Sequence, residues 1–414
     1  MAVPFFSIDF RSREWKAMLE AVITGNLLTG KSVDKLTEFL KNRHPSYHIT
    51  LFPSARMGYY LLLEEMFNQG DEVIVPAMGF PLYIVYMLKQ KIKPIFVDVE
   101  PGHYTLDPEK IREAITSKTK GILVTHLFGH PAYMDAIMDI ADESGLPVIE
   151  DCAQSYDSFY QGRETGEFGH AALVSCSVMK VPTTLGGGIL ITKDKILHNK
   201  IKSRLDDSNY NFAAKKTLRY LVFNLISVMN SYPEIYTPLS HQVFGIIRKR
   251  NPALLRKILY SGMGLDTEPE IWERPRFSGY QASVGMIQFK RAREMTLVRR
   301  KYACILNDKL QGIDLYTLPV ENADCFWNYQ YYVAGVKNAS TSDMVFNRLF
   351  DKNIHIMKED VWNCTRYDFV KPYFKECPIA DSVTPGLFRI QNNSMLSLKD
   401  IQKIGDALVE IGRQ

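Results

Sequence analysis

The sequence predicts an α/β fold with a mainly parallel sheet in a large domain, followed by a smaller C-terminal α+β domain. Between Glu72 and Thr192, short β-rich runs alternate with segments of helical periodicity. Such alternation is typical of parallel strands joined by helices. A long helical pattern over 281–310 then leads into a unit of mixed strands and helices. With 414 residues, the chain is long enough for two domains.

Each element has its own local signal. Apolar β-rich runs predict strands at 72–76, 93–99, 121–126 and 146–151, and later at 329–336 and 387–391. Helical periodicity predicts helices at 59–67, 107–115, 133–144, 281–310, 342–350 and 399–411. The helix at 107–115 also has a start signal, because Asp107 suits the N-cap and Pro108 the first helical position.

Charge and pattern divide the chain into three predicted segments. Residues 1–200 form the large domain with an N-terminal arm, 201–270 a basic helical insertion, and 271–414 the long helix with the C-terminal small domain. The insertion is distinct because residues 201–260 contain ten Lys/Arg against three Asp/Glu.

Composition argues against several classes of protein. The net charge of +4 is too small to indicate nucleic-acid binding, so we expect no nucleic-acid partner. The six cysteines form no CxxC pair, so we expect neither structural zinc nor any other metal. The sequence has no signal-peptide pattern, and no run reaches the roughly 18 apolar residues of a membrane span. These observations predict a cytoplasmic protein.

The segment from Val148 to Gly188 carries the most specific chemistry. Asp151 ends a predicted strand, where ligands bind in parallel sheets. Lys180 lies in a loop between two further strands and is followed by glycines at 186–188. Pyridoxal 5′-phosphate (PLP) requires an amine that binds its aldehyde and an acid that keeps its ring nitrogen protonated. The pattern predicts Lys180 and Asp151 as catalytic residues, although each alone also fits a surface lysine or a capping aspartate.

The phosphate of PLP needs hydrogen-bond donors, and two segments offer them. Ser54, Ala55 and Arg56 precede an apolar helix, and a helix N-terminus binds anions readily. Arg56 adds a charge-assisted donor, and Ser175 adds a hydroxyl from a neighbouring strand. An ordinary N-cap with a solvated arginine is the alternative interpretation.

Two further residues have candidate roles at the PLP ring. Gln154 follows Asp151 by three residues and is predicted to hydrogen-bond the ring oxygen or to orient the ring. Phe80 follows the strand at 72–76 and is predicted to stack on the ring. A solvent-facing glutamine and a core phenylalanine are the alternatives.

The chain resembles the sugar aminotransferases of the DegT/DnrJ/EryC1/StrS group, almost continuously from Thr24 to Asp194. The motifs that carry the resemblance are residues 25–30, 70–76, 97–101, 125–131, 135–137, 148–155, 166–170 and 175–188. Their combined order and spacing is specific, although each motif alone is weak.

The resemblance implies the aspartate-aminotransferase-like (PLP fold type I) architecture and the roles of individual residues. By position, Lys180 matches the lysine that binds PLP covalently, and Asp151 matches the partner of the ring nitrogen. The cofactor-binding positions implied in the same way are Ser54, Ala55, Arg56, Phe80, Gln154 and Ser175. A lysine at 180 favours transamination over the related sugar dehydratases, which carry histidine there.

The sequence departs from the group mainly in two places, and Ala55 in place of glycine and Cys176 beside the strand serine are milder changes. Members commonly carry an Asn-Tyr/Phe-Arg-Met stretch through which a second subunit reaches the phosphate, but residues 273–278 read Glu-Arg-Pro-Arg-Phe-Ser. Arg274 or Arg276 is the candidate replacement. The basic insertion is the second departure. Residues 212–258 within it fit either a peripheral contact with an anionic membrane or a solvated helical excursion at a lid or dimer contact.

Taken together, these observations predict a PLP-dependent aminotransferase that transfers an amino group from an amino acid to a keto-sugar. The resemblance implies glutamate or glutamine as donor, a nucleotide-linked sugar as acceptor, and a homodimer active in amino-sugar or polysaccharide biosynthesis. The alternatives are a PLP-fold sugar dehydratase and a non-catalytic PLP-binding regulatory protein.

Overall fold

A computed structural model describes residues 1–5, 7–27, 30–206, 214–260 and 276–414. The first strands along the chain are β1 His48–Phe52, β2 Glu72–Pro76, β3 Lys93–Val97, β4 Thr119–Thr125, β5 Val148–Asp151, β6 Phe159–Tyr160, β7 Arg163–Glu164, β8 Ala171–Ser175 and β9 Gly188–Thr192. Seven of them form one sheet in the order β1-β9-β8-β5-β4-β2-β3. Strands β2 to β5 and β8 are parallel, whereas β9 is antiparallel to β8 and to β1.

Helices cover both faces of this sheet. The helices of this part of the chain are α1 Ser12–Ile23, α2 Lys31–Arg43, α3 Ala55–Met66, α4 Pro81–Lys89, α5 Pro108–Ala114, α6 Met134–Ser144 and α7 Lys195–Asp206. Side chains of β2 alternate between the faces, as a strand requires. Val73 and Val75 join the apolar cluster that contains α3 and α4, whereas Ile74 joins the cluster that contains α5 and α6.

Four further helices lie in the basic segment: α8 Ala214–Met229, α9 Pro233–Tyr236, α10 Gln242–Arg250 and α11 Pro252–Tyr260. One face of α8 packs Leu221 and Val228 against the cluster that holds Phe10 and Tyr280. Residues of α10 and α11 also pack against the N-terminus and the small domain. The division of the chain at 200 and 270 stays a prediction.

The long helix α12 (Gly279–Leu310) links the two domains. Its N-terminus is stabilised by a capping box between Ser278 and Gln281. The N-terminal arm is fixed on α12 by buried charges, because Arg291 contacts Glu14 at 2.5 Å and Asp9 at 3.1 Å.

The small domain contains a four-stranded antiparallel sheet in the order β10-β12-β14-β13. The remaining strands are β10 Tyr316–Thr317, β11 Cys325–Phe326, β12 Tyr332–Val336, β13 Met357–Lys358 and β14 Leu387–Ile390. Strand β11 pairs with β6 of the large domain. The helices are α13 Ser342–Asp351, α14 Pro378–Val383 and α15 Leu398–Gly412.

The predicted architecture agrees with this arrangement, and most predicted elements lie within a few residues of the observed ones. The largest difference in bounds is at α3: the apolar pattern begins at Tyr59, whereas the helix begins at Ala55, within the Ser54 to Arg56 turn predicted to open it. Among the helices of the described residues, none combines the length and apolar content that crossing a membrane requires.

Candidate active site

Asp151 lies at the carboxyl end of β5, in the middle of the sheet. The side chain is buried, and Oδ1 accepts a hydrogen bond from the Ala153 amide at 3.0 Å. The Thr125 hydroxyl lies 3.5 Å from Oδ2. Burial raises the pKa of Asp151, and the positive charge of Lys180 is among the influences that oppose the rise. Asp151 and Lys180 therefore lie close enough to interact electrostatically.

Lys180 lies in the connection between β8 and β9, which are neighbouring antiparallel strands. The side chain is half-buried, and Nζ lies 5.4 Å from the centroid of the Tyr331 ring. The small domain supports the connection, because Gln330 Nε2 donates to the Met179 carbonyl at 3.0 Å. The predicted covalent lysine thus lies at the junction of the two domains.

Tyr331 is a site residue that sequence reasoning missed. Its ring lies near Lys180 on one side and has the Arg389 guanidinium 4.1 Å from its centroid. Burial opposes ionisation of the phenol, but the charges of Lys180 and Arg389 leave its pKa below the ordinary value. The only sequence signal is the dense aromatic and polar run at 327–332, directly before β12.

The predicted phosphate ligands come together at the N-terminus of α3. Ser54 caps the helix, and its hydroxyl accepts from the Met57 amide at 3.3 Å. Ser175 pairs with Gly188 across β8 and β9. A Cβ atom at Gly188 would lie 2.5 Å from Ala55 Cα, so only glycine permits this approach. The fold therefore places Ser54, Ala55 and Ser175 around Gly188, and Arg56 follows in the first turn.

Gln154 is buried and has a defined orientation. Its Oε1 accepts from the Phe128 amide at 2.8 Å, and its carbonyl accepts from Asn328 Nδ2 at 2.9 Å. Since Oε1 binds a backbone amide, the other end of the carboxamide is the group left to act on a ligand. The predicted contact with the PLP ring stays a prediction.

Phe80 lies at the carboxyl end of β2, directly before α4. Its ring centroid is 6.2 Å from that of Trp362, with 42° between the planes. The Gly79 amide donates to the Trp362 carbonyl at 2.9 Å. Phe80 is therefore at the predicted edge of the sheet, beside a small-domain tryptophan that the sequence did not indicate.

The segment proposed to contact a second subunit is only partly described. Arg274 lies outside the described residues. Arg276 is exposed, and its Nη2 donates to the carbonyl of Asp206 at the end of α7. Its predicted role at a phosphate stays a prediction.

A buried group next to Asp151 resembles a metal site in composition: His126, Glu150 and Cys152. The amides of Gly166, Phe168 and Gly169 donate to the Glu150 carboxylate over 2.6–2.8 Å. His126 Nε2 lies 3.0 Å from Glu150, and Nδ1 accepts from the Ala132 amide. Burial also raises the pKa of the Cys152 thiol. This cluster is a satisfied hydrogen-bond network that braces the strand ending at Asp151.

Comparison with known proteins identifies the relatives of the chain. The sequence profile of the DegT/DnrJ/EryC1/StrS aminotransferase family matches residues 9–222 and 251–409. The chain belongs to this family. The resemblance predicted from the motifs is thereby confirmed.

Two curated proteins match part of the chain. GDP-perosamine synthase of Escherichia coli O157:H7 is 34% identical over 163 residues, which are 39% of this chain and 45% of that protein. L-glutamine:2-deoxy-scyllo-inosose aminotransferase of Streptomyces paromomycinus is 41% identical over 125 residues, or 30% of each. The matched region thus spans less than half of these relatives.

A solved structure matches nearly the whole chain in fold. The sugar aminotransferase CalS13 from Micromonospora echinospora superimposes with a TM-score of 0.75 at 18% identity, covering 99% of both chains. The predicted fold class is confirmed. Within this family fold, the residues that the sequence did not indicate, Tyr331 and Trp362, both belong to the small domain.

Proposed function

We propose that this chain is a PLP-dependent aminotransferase that moves an amino group from an amino acid to a keto-sugar. The observation that carries the proposal is the grouping of Asp151 and Lys180 at one edge of the sheet, beside the helix N-terminus at Ser54. Glutamate or glutamine is the proposed donor, and a nucleotide-linked keto-sugar the proposed acceptor. The names of two relatives support this proposal: one is a GDP-perosamine synthase and the other an L-glutamine:2-deoxy-scyllo-inosose aminotransferase.

The residues present fit PLP. Gly188, the pairing partner of Ser175, allows the backbone of Ala55 to approach closely, and the N-terminal amides of α3 would hold the phosphate there. The cofactor, when bound, supplies an electron sink for charge that develops on the substrate carbon.

The chain's own groups perform the remaining chemistry. Asp151 is a buried acceptor, and its carboxylate would face the ring nitrogen of the bound group and keep it protonated. Lys180 would hold the group covalently and, with its amine free, would act as general base and acid towards the substrate carbon.

The test uses the purified protein. Added PLP is expected to give a visible absorption that glutamate or glutamine bleaches and that a keto-sugar restores. Lys180→Ala is expected to lose the covalent attachment that borohydride fixes, whereas Lys195→Ala, an exposed residue, retains it. A chromophore that no amino donor changes would support the regulatory alternative, and equal labelling of Lys180→Ala would refute the assignment.

We also propose a homodimer in which Arg276 of one protomer reaches the phosphate site of the other. The exposure of Arg276 supports this, as does its place directly before the cap of α12. Light scattering of the protein as it elutes from a size-exclusion column gives its mass, which is expected to be that of a dimer. Arg276→Ala is expected to weaken PLP binding in the dimer, and unchanged affinity would contradict the role.

A peripheral membrane contact is the proposed role of the insertion. The outer face of α8 exposes Leu218, Val222, Phe223 and Ile226 by 48–65%. The insertion is also basic, and this combination suits an anionic lipid surface better than an equally basic second copy. Co-sedimentation with anionic vesicles is expected, and is lost on deletion of 212–258 or in the variant F223S/I226S. No sedimentation of the intact protein would end the proposal.

The proposed location is the cytoplasm. All six cysteines are unpaired, and four of them are buried. Unpaired thiols are usual in a reducing compartment. Fractionation of the source cells tests this location, and recovery with secreted proteins would contradict it.

A further inference from the structure

His355 lies where three parts of the chain meet: the first residues, the basic segment and the small domain. It lies two residues before β13 and is 1% exposed. The His355 amide donates to the Val3 carbonyl at 3.1 Å, and Val3 pairs with Ile354 in a parallel bridge. The centroid of the Phe5 ring lies 4.6 Å from that of the imidazole. The first residues are therefore held on the small domain at His355.

The basic segment reaches the same imidazole. Nδ1 of His355 lies 2.5 Å from the Tyr236 hydroxyl of α9, and Nε2 lies 3.0 Å from His241 Nδ1. His241 directly precedes α10. Phe244 of α10 packs on Phe5, with the ring centroids 5.6 Å apart. A single buried histidine thus connects the basic segment, the first residues and the small domain.

The hydrogen bonds at His355 suit neutral imidazoles. Burial raises the pKa of the Tyr236 phenol, so the hydroxyl keeps its proton and donates to Nδ1 of His355. Nε2 of His355 then carries the ring proton and donates to Nδ1 of His241. A further proton on Nδ1 of either ring would meet a donor that already points at it. Protonation of either histidine therefore opposes one of these contacts.

Neighbouring cations act in the same direction. The Phe350 ring stacks on His355, with centroids 4.2 Å apart, and the Arg248 guanidinium lies 4.4 Å from the centroid of the same phenyl ring. Burial is the main cause that lowers the pKa of His355 from 6.5 to about 3, and the neighbouring histidine, Arg248 and Lys403 of α15 contribute. Burial and Lys403 also lower the pKa of His241.

The acidic side chains on the elements around His355 are engaged elsewhere. Asp400 caps the N-terminus of α15, and Glu234 of α9 is exposed. Within the described part of the chain, none of these carboxylates contacts either histidine, so a proton taken up there gains no acidic partner. The other carboxylates form the pairs Asp343–Lys358, Asp351–Arg248, Glu359–Arg389, Asp406–Lys309 and Glu410–Lys352.

The anchored residues continue into the N-terminal arm beside Lys180. Phe5 is followed closely by Ser7, whose carbonyl accepts from Asn393 Nδ2 at 2.8 Å. Residues 7–9 then line a narrow space that Lys180 also lines. Since so few residues separate Phe5 from this space, the anchorage at His355 also fixes the arm beside Lys180.

We propose that His241 and His355 form an acid-released latch, which holds the first residues and the basic segment on the small domain and frees both when the histidines take up protons. Release also loosens the arm beside Lys180. The latch does not rest on the proposed function, because its contacts are present without a cofactor.

The direction of the pH dependence follows from proton uptake. A freed His355 binds a proton below pH 6.5, whereas the docked side chain does so only near pH 3. Docking is therefore fully present above pH 6.5 and is lost as the pH falls towards 3. His355 alone makes release about 25-fold more favourable at pH 5 than at pH 7, and His241 adds an effect of the same sign.

Hydrogen exchange of the full chain, without added cofactor, tests the release. Protection factors, which correct for the intrinsic effect of pH, are compared at pH 7 and pH 5 for peptides from 1–11 and 233–250. Both are expected to lose protection about 25-fold in the wild type, while peptides from the main sheet lose less. Equal protection at the two pH values, or a loss from only one of the two peptides, would overturn the proposal.

His355→Gln removes the titrating group but keeps a donor and an acceptor. The protection of both peptides is expected to become nearly independent of pH. His48→Gln is the matched control, since His48 begins β1 in the large domain, and it is expected to behave as the wild type does. If His355→Gln loses as much protection between pH 7 and pH 5 as the control, the latch is wrong.

Lys403→Met tests the charge without changing either histidine, and it decides the matter if His355→Gln does not dock at pH 7. Removing a like charge raises the pKa of the docked histidines, so the midpoint of release is expected to move to lower pH. Lys399→Met is the control, because Lys399 is exposed on the same helix. A midpoint equal to that of the control, or a higher one, would overturn the proposal.

The link to Lys180 has its own readout. A peptide covering 176–185 is expected to lose protection together with 1–11 in the wild type at pH 5, but not in His355→Gln. If the arm is released while this loop keeps its protection, the latch stands and its effect beside Lys180 is refuted.

Discussion

Thr125 and Asp151 lie side by side at the ends of two parallel strands, with the threonine hydroxyl 3.5 Å from Asp151 Oδ2. The pairing of β4 with β5 fixes this relationship, so the direction of the carboxylate depends on backbone register rather than on a flexible loop. Ala153 holds the other oxygen. A group set in this way needs little rearrangement when a ligand arrives, which is how preorganised electrostatics act.

Asp151→Asn tests the charge without changing the shape. Turnover is expected to fall about 10²- to 10³-fold, as when one preorganised electrostatic partner is removed. The melting temperature is expected to be unchanged or higher, since burial raises the pKa of this carboxyl and the buried charge is costly. Steady-state kinetics and thermal unfolding give both values. Asp139→Asn, on the exposed side of α6, is the control, and equal activity of the two variants would contradict the role.

Gly188→Ala tests the close approach at the phosphate site. The added Cβ meets the backbone of Ala55 at 2.5 Å, so the free energy of unfolding is expected to fall by about 1–3 kcal/mol. PLP affinity is expected to fall as well, because the N-terminus of α3 is displaced. Gly102→Ala is the matched control, since a Cβ there has nothing within 4 Å. Urea unfolding gives the free energy of unfolding, and titration with PLP gives the affinity. Identical values for the two variants would contradict the predicted clash with Ala55.

His130 makes stability depend on pH. Burial, with a contribution from His103, lowers its pKa from 6.5 to about 3. The unfolded chain therefore takes up a proton below pH 6.5 while the folded chain does not. Stability is fully present above pH 6.5 and is lost as the pH falls towards 3, by about 1.4 kcal/mol per pH unit.

His130→Asn removes the pH-dependent contribution of His130 to the free energy of unfolding. Asparagine retains a donor for the Pro131 carbonyl, which His130 Nδ1 contacts at 2.7 Å. Urea unfolding at pH 7, 6 and 5 is expected to show a shallower loss of stability in the variant than in the wild type. Parallel curves for the two proteins would show that His130 takes up its proton equally in both states.

Glu150→Gln tests the network behind Asp151. The carboxylate accepts from three backbone amides, and an amide group in its place turns N–H donors towards them. The free energy of unfolding is expected to fall by about 3 kcal/mol or more. Glu38→Gln, exposed on α2, is the control. A chelator is expected to change neither protein's melting temperature, and a drop for the wild type would point to a bound metal.

The sequence was sufficient for the parts of the site that lie on the large domain. Strand ends and a helix start have local signatures, so Asp151, Ser54 and Ser175 were predicted at the edge where the structure places them. The apolar pattern placed the body of α3 at 59–67 with Ser54 to Arg56 at its opening, and the structure starts the helix at Ala55 with Ser54 as its cap.

The small-domain side of the site was not predictable in the same way. Tyr331 lies near Lys180 across more than 100 residues of chain, and no local periodicity reports such a contact. A buried arginine within a long helix, such as Arg291, looks in sequence like any solvated arginine. Only the packing of α12 against the N-terminal arm distinguishes it.

The antiparallel edge of the main sheet also constrains biosynthesis. Strand β1 lies at the end of the sheet and its neighbour is β9, so the Ser54 turn meets Gly188 only when that late strand is available. During synthesis, residues up to Thr192 must therefore have left the ribosome before the binding site for PLP can form. Strand pairings between residues so far apart in sequence form slowly. We therefore expect PLP to bind late in folding.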